Sequence, residues 1–268
     1  MTNINELQFD DRPKYKPFCE KSKSLMNDNV SSLVAEGRHI IKPEIVMERR
    51  TYAQEPVRTN WQNIGTYSSL VQVKHPSERK TRWFNWHPKT ETITPGDIIR
   101  NTTRDFGLQT TEADYEYNGA PFVTLNKRQI AELRNNPHAL PKLREQIWIE
   151  VIAAGDTKLF EEYKAEFEAK TGRLFQGNGM GVCATGLRGL RVVYLNFFGR
   201  NPSANGADYI GSLGGCVFGV APEAQEASPQ SRLALNPAEL ADFLKEQNPL
   251  LDRAALEQQI KAYQSQRR

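Results

Sequence analysis

Three observations predict an α+β fold. The first third of the chain holds short runs of β-forming residues, the middle holds apolar residues at helical spacing between start and stop signals, and residues 190–198 form a near-continuous apolar run inside a glycine-rich stretch. The expected order is a β-rich N-terminal part, a central helical unit, glycine-rich antiparallel strands and a C-terminal helical hairpin. The parts expected are an extended arm over 1–30, a β-rich basic region over 31–104, a helical unit plus glycine-rich sheet over 105–231, and C-terminal helices over 232–268. A chain of 268 residues can also close these parts into one compact domain.

The elements follow in order. Residues 1–30 show no sustained period and read as an extended arm, able to lie across a partner. Residues 57–61, 67–74 and 81–86 are rich in β-branched and aromatic residues and predict strands; His75-Pro-Ser-Glu-Arg-Lys80 supplies a polar hairpin tip. Asp97, after Pro95-Gly96, can cap a short helix over 98–103. Asn126 caps a helix that Pro137 stops, and Pro141 opens the next as its first residue. Asp156 caps a third helix, with Phe160, Tyr163 and Phe167 on one stripe and Gly172 closing it at the left-handed position past its end. Residues 190–198 predict a central strand, with residues 215–220 as its partner. Beyond a linker over 221–231, Asn236-Pro237-Ala-Glu239 and Asn248-Pro249 open two amphipathic helices.

Composition narrows the function classes. The net charge of +3 is mildly basic, far from a histone-like bias. Three cysteines, Cys19, Cys183 and Cys216, do not look like a disulfide framework, and no Cys-x-x-Cys pair supports a zinc ribbon. The first residues lack the basic-then-apolar pattern of a signal peptide, and no apolar run approaches the ~20 residues of a membrane-spanning helix. A cytoplasmic location is therefore expected, with no cofactor and no metal.

Residues 172–219 carry twelve of the eighteen glycines. A dinucleotide fingerprint needs a strand before its glycines and a helix after, and here the order is reversed. A P-loop is absent as well, because the glycine at 186 is followed by Leu187 and Arg188. What remains is a backbone nest for an anion at Gly177, Gly179 and Gly181. The order helix, glycine-rich loop, strand over 177–193 resembles the loop that RNA-binding proteins of the ferredoxin-like RAMP family, from CRISPR effector complexes, lay against RNA. Its glycine spacing and the long segment after it depart from that family's pattern.

The stretch 74–89 is the most suggestive surface. Lys74, Arg79, Lys80, Arg82 and Lys89 interleave with Trp83 and Trp86 against one acid, Glu78. Cations hold phosphates, and aromatic rings stack bases. Strand alternation puts Arg82, Phe84 and Trp86 on one side and Trp83 and Asn85 on the other, so one tryptophan belongs to the core. The candidate nucleic-acid contacts are Lys74, Arg79, Lys80, Arg82, Trp86, Lys89, Arg188 and Arg191, with Arg200 beside them. Asp114 and Glu116, with Lys127 downstream, lack the acid-x-Lys spacing of a metal-dependent nuclease, and Asp208 is a further acidic candidate with no partner identified.

The expected function is a non-enzymatic binding subunit of a larger assembly that contacts RNA or single-stranded DNA. Protein partners or a homo-oligomer are expected, and no membrane span. Two alternatives stay open: an enzyme using the glycine-loop anion site or a Cys183 or Cys216 nucleophile, and a structural or interaction component of a virus, mobile element or secretion system.

Overall fold

The computed structural model describes residues 7–9, 14–20, 25–85, 121–175, 177, 179–186, 189–199, 203–206 and 216–221. The chain divides into two units, Met1–Pro222 and Glu223–Arg268, and every described residue belongs to the first. The helix expected over 98–103, the acidic positions Asp114, Glu116 and Asp208, and the C-terminal hairpin lie outside the described residues.

A mixed nine-stranded sheet and helices make the α+β architecture. The strands are β1 (Tyr15–Phe18), β2 (His39–Ile40), β3 (Thr66–Lys74), β4 (Lys80–Asn85), β5 (Phe122–Asn126), β6 (Gly181–Cys183), β7 (Leu190–Leu195), β8 (Ser203–Asn205) and β9 (Val217–Val220). The main path runs β1-β9-β3-β7-β8-β6, with β2 on β9 and the pair β4-β5 extending from β3. The helices are α1 (Ser31–Ala35), α2 (Pro43–Tyr52), α3 (Val57–Gln62), α4 (Lys127–Asn135), α5 (Pro141–Gln146) and α6 (Thr157–Thr171). A π-helical turn, Leu25–Val30, leads into α1, and a second, Ile147–Ile152, continues α5.

The hairpin expected from residues 67–86 is present: β3 and β4 pair antiparallel with Lys74 opposite Thr81 and Leu70 opposite Asn85. Strand β7 is central as expected, between β3 and β8. Its expected partner near residue 215 is displaced. Strand β9 pairs with β1 and β2 antiparallel and meets β3 in parallel at Tyr67 and Val217, so β3 separates β9 from β7. The expected boundary near residue 104 does not divide the fold, because β4 and β5 are neighbours in one sheet.

Residues 57–61 form a helix where β-propensity predicts a strand. The Glu55 carboxylate accepts from the Thr59 amide at 3.2 Å, and the Trp61 indole N–H donates to the Phe9 carbonyl at 2.9 Å from a buried position. Such tertiary anchoring overrides a weak strand preference. The arm is docked as well. The Phe9 ring packs edge-on to Trp61 and Phe218, Tyr15 packs on Trp61, and β1 pairs with β9. The described part of the arm therefore lies on its own core rather than across a partner. Cys19 and Cys216, one position beyond the Phe18–Val217 pair, are joined by a disulfide with Cα atoms 4.2 Å apart. This corrects the reading of the cysteines from their odd count.

The central helices obey their start signals. The Asn126 side chain accepts from the Gln129 amide while the Gln129 side chain accepts from the Asn126 amide, a reciprocal cap. Asp156 accepts from the Leu159 amide at 2.9 Å, and Gly172 closes α6 at φ +67°. One side of the sheet buries Val71, Val73, Phe84, Leu190, Val192 and Val217 under Phe18, Val30 and Leu33. Trp83 and Trp148 are also fully buried, each contributing about 1.5–3 kcal/mol of burial free energy. Gly65 is required by the close approach of Tyr194, whose phenol fills the place a Cβ would take.

Candidate nucleic-acid interface

The hairpin β3–β4 and its neighbour β5 decide where the basic residues point. In an antiparallel sheet, opposed residues share a face and successive residues alternate. The register sets Val73, Arg82 and Thr124 on one face, and Lys74, Thr81 and Leu125 on the other. The expected cluster is thereby divided. Lys74 lies on the opposite face from Lys80 and Arg82, where its ammonium donates to the Gly186 carbonyl at 3.0 Å.

Arg79 and Lys80 are exposed at the tip. The Lys80 ammonium meets the Glu78 carboxylate at 2.6 Å, and this hydrogen bond and charge hold the Glu78 carboxyl below the usual carboxylate range. Arg82 is half-buried, and its guanidinium lies 4.1 Å from the centre of the Phe122 ring. A cation over an aromatic face is held by the ring quadrupole, which orients the guanidinium. Phe122 is 39% exposed, one of three large apolar side chains exposed among the described residues. Thr124 and Asn126 are exposed on the same alternation of β5. Lys80, Arg82 and Phe122 thus share one face of β4 and β5, with Arg79 exposed in the adjoining turn.

The remaining candidates fall elsewhere. Arg191 sits opposite Gln72 and is fully buried, so it lies off the solvent-facing surface. Trp83 is the core tryptophan, fully buried. Trp86, Lys89, Arg188 and Arg200 lie outside the described residues. Phe122 is the aromatic that sequence reading missed. Its signal was the alternation Phe-Val-Thr-Leu-Asn just before the Asn126 cap, which marks a strand with Phe122, Thr124 and Asn126 on one side.

The glycine loop is not an open nest. The amides of Gly177 and Gly179 both donate to the Leu174 carbonyl, at 3.2 and 2.9 Å, so neither is left for an anion. A Cβ on Gly179 would come within 2.7 Å of the Phe167 ring, and one on Gly181 within 3.0 Å of the His138 ring. These glycines serve close packing. Three side chains clamp the loop's carbonyls: Arg144 donates to Phe175 at 2.7 Å, Trp148 to Met180 at 3.0 Å, and His138 Nδ1 lies 3.2 Å from the Gly179 oxygen. Arg144 is fully buried, and its Nη1 is 3.3 Å from the same His138 Nδ1. Burial first, then the Arg144 and Arg173 charges, push the His138 imidazole below its ordinary pKa. Cys216 is occupied by the disulfide and is not a free nucleophile.

Among the described residues no group of three or more His, Cys, Asp or Glu could hold a metal ion, and no helix is long and apolar enough to cross a membrane.

No family model matches the chain, and no curated protein does. Its fold has a solved counterpart. A chain from Nanoarchaeota, described as accommodating massive sequence variation in the C-type lectin fold, aligns with a TM-score of 0.54 at 9% identity, over 79% of this chain and 99% of that one. At this identity the likeness is one of fold alone.

Proposed function

We propose that this protein is a non-enzymatic binding module that contacts single-stranded nucleic acid through the exposed part of β4 and β5 around Lys80, Arg82 and Phe122. The observation that carries the reading is the stack of Arg82 on exposed Phe122, with Arg79 and Lys80 on the adjoining tip. Cations there would neutralise phosphates, and the ring would offer a surface to an unpaired base. Two versions of the enzyme reading lose support, with the Gly177 and Gly179 amides committed to Leu174 and Cys216 committed to Cys19; the Cys183 version is left as it stood. Membership of a larger assembly was motivated by the N-terminal arm, and the described part of that arm, Phe9 and β1, packs on this chain's own core.

The experiment is a fluorescence-anisotropy titration with labelled single-stranded RNA and DNA over a range of salt. Binding is expected at low salt, falling as salt rises, and weakened together by Arg79→Ala, Lys80→Ala and Arg82→Ala. A triple variant that binds as the wild type does would refute the assignment.

A further inference from the structure

The turn that carries Arg79 and Lys80 is organised around one imidazole. The His75 amide donates to the Lys80 carbonyl at 3.0 Å and closes the hairpin. The His75 side chain, 9% exposed, turns back over the loop. Its Nδ1 accepts from the amides of Ser77 at 3.2 Å and Glu78 at 2.9 Å, with the Ser77 hydroxyl also at 3.2 Å.

One acceptor serving amides two and three residues onward is the arrangement that Asp and Asn side chains provide at turns and helix starts. Here an imidazole takes that role. A ring nitrogen receiving two backbone donors is an acceptor, which places the ring proton on Nε2. Pro76 adds a fixed φ and has no amide needing a partner. The amides of Ser77 and Glu78 are thus held from within, and the Glu78 carboxylate meets Lys80.

We infer that His75 is a positioning residue that pre-orders the cationic tip for its anionic ligand. The inference rests on the proposed nucleic-acid reading of this face. An exposed loop that is already ordered loses less conformational freedom on binding, so the gain is in affinity rather than in the fold. The chemistry asked of position 75 is an acceptor close to the backbone, which Asn supplies and Ala does not.

The test compares wild type, His75→Ala and His75→Asn. Two readouts are taken: anisotropy with a labelled single-stranded oligonucleotide, and amide hydrogen exchange at Ser77 and Glu78. His75→Ala is expected to weaken binding about threefold to tenfold and to speed exchange at both amides, while His75→Asn restores most of both. Wild-type binding left unchanged by His75→Ala, or an Asn variant no better than Ala, overturns the inference and leaves the interface reading standing. A wild type that binds no oligonucleotide at low salt overturns the interface reading and this inference with it.

Discussion

Inside the core, Arg50 donates to the hydroxyl of Tyr163 at 3.0 Å, linking α2 to α6. The same guanidinium donates to the carbonyls of Trp61, Ile64 and Asn196 at 3.0, 2.6 and 3.0 Å, and it is 1% exposed. One buried cation therefore ties the end of α3, the approach to β3 and the exit of β7. These are neutral oxygens, so the charge is stabilised by oriented dipoles.

Arg50→Met should keep much of the volume but leave three carbonyls short of a donor. A loss on the order of 2–4 kcal/mol is expected, measured as the shift of the urea midpoint. Tyr163→Phe removes one hydrogen bond and should cost about 1 kcal/mol. A larger loss for Tyr163→Phe than for Arg50→Met would contradict this ranking.

The disulfide gives a second prediction. Cys19 and Cys216 are 197 residues apart in sequence, and linking them restricts the unfolded chain. The chain-entropy account sets a ceiling of about 5 kcal/mol for so long a loop. Reduction, or Cys19→Ser with Cys216→Ser, should lower the unfolding midpoint. Thiol titration of the denatured, unreduced protein should find one free thiol per chain, that of Cys183. Three free thiols in protein purified under oxidising conditions would contradict the pairing.

The His138 clamp predicts a pH dependence. Its folded pKa lies below its unfolded value, from burial first and then from the Arg144 and Arg173 charges. The unfolded chain therefore binds the proton more readily. Stability should be unaffected by this group above about pH 6.5, fall as pH drops below that value, and level off once the folded imidazole is protonated. His138→Gln should flatten that part of the stability profile. An unchanged slope between wild type and His138→Gln would show that the imidazole does not titrate against the loop.

Local signals made part of this fold legible. Asn126, Asp156 and Gly172 act within one turn of their own positions, so their caps could be read directly. Strand β7 could be read because nearly all of it is buried, leaving an unbroken apolar run. Non-local pairing could not. The insertion of β3 between β9 and β7, and the helix at Trp61, depend on partners far along the chain. Arg50 reads as a surface cation among polar neighbours, and only the convergence of Trp61, Ile64 and Asn196 makes its burial tolerable. At the interface, alternation in β4 set Trp83 and Arg82 on opposite faces, and the structure shows Trp83 to be buried. Lys74 and Arg82 were grouped by proximity in sequence, whereas the register puts them on opposite faces. Phe122 entered only when β5 was seen beside β4.

The most direct measurement of the central claim is ultraviolet cross-linking of the wild-type protein to uridine-rich single-stranded RNA at low salt, with cross-linked peptides mapped by mass spectrometry. The account predicts adducts on the peptides carrying Arg79–Arg82 and Phe122, lost in Phe122→Ala and suppressed by added salt. Adducts confined to other parts of the chain, or none at all, would contradict it.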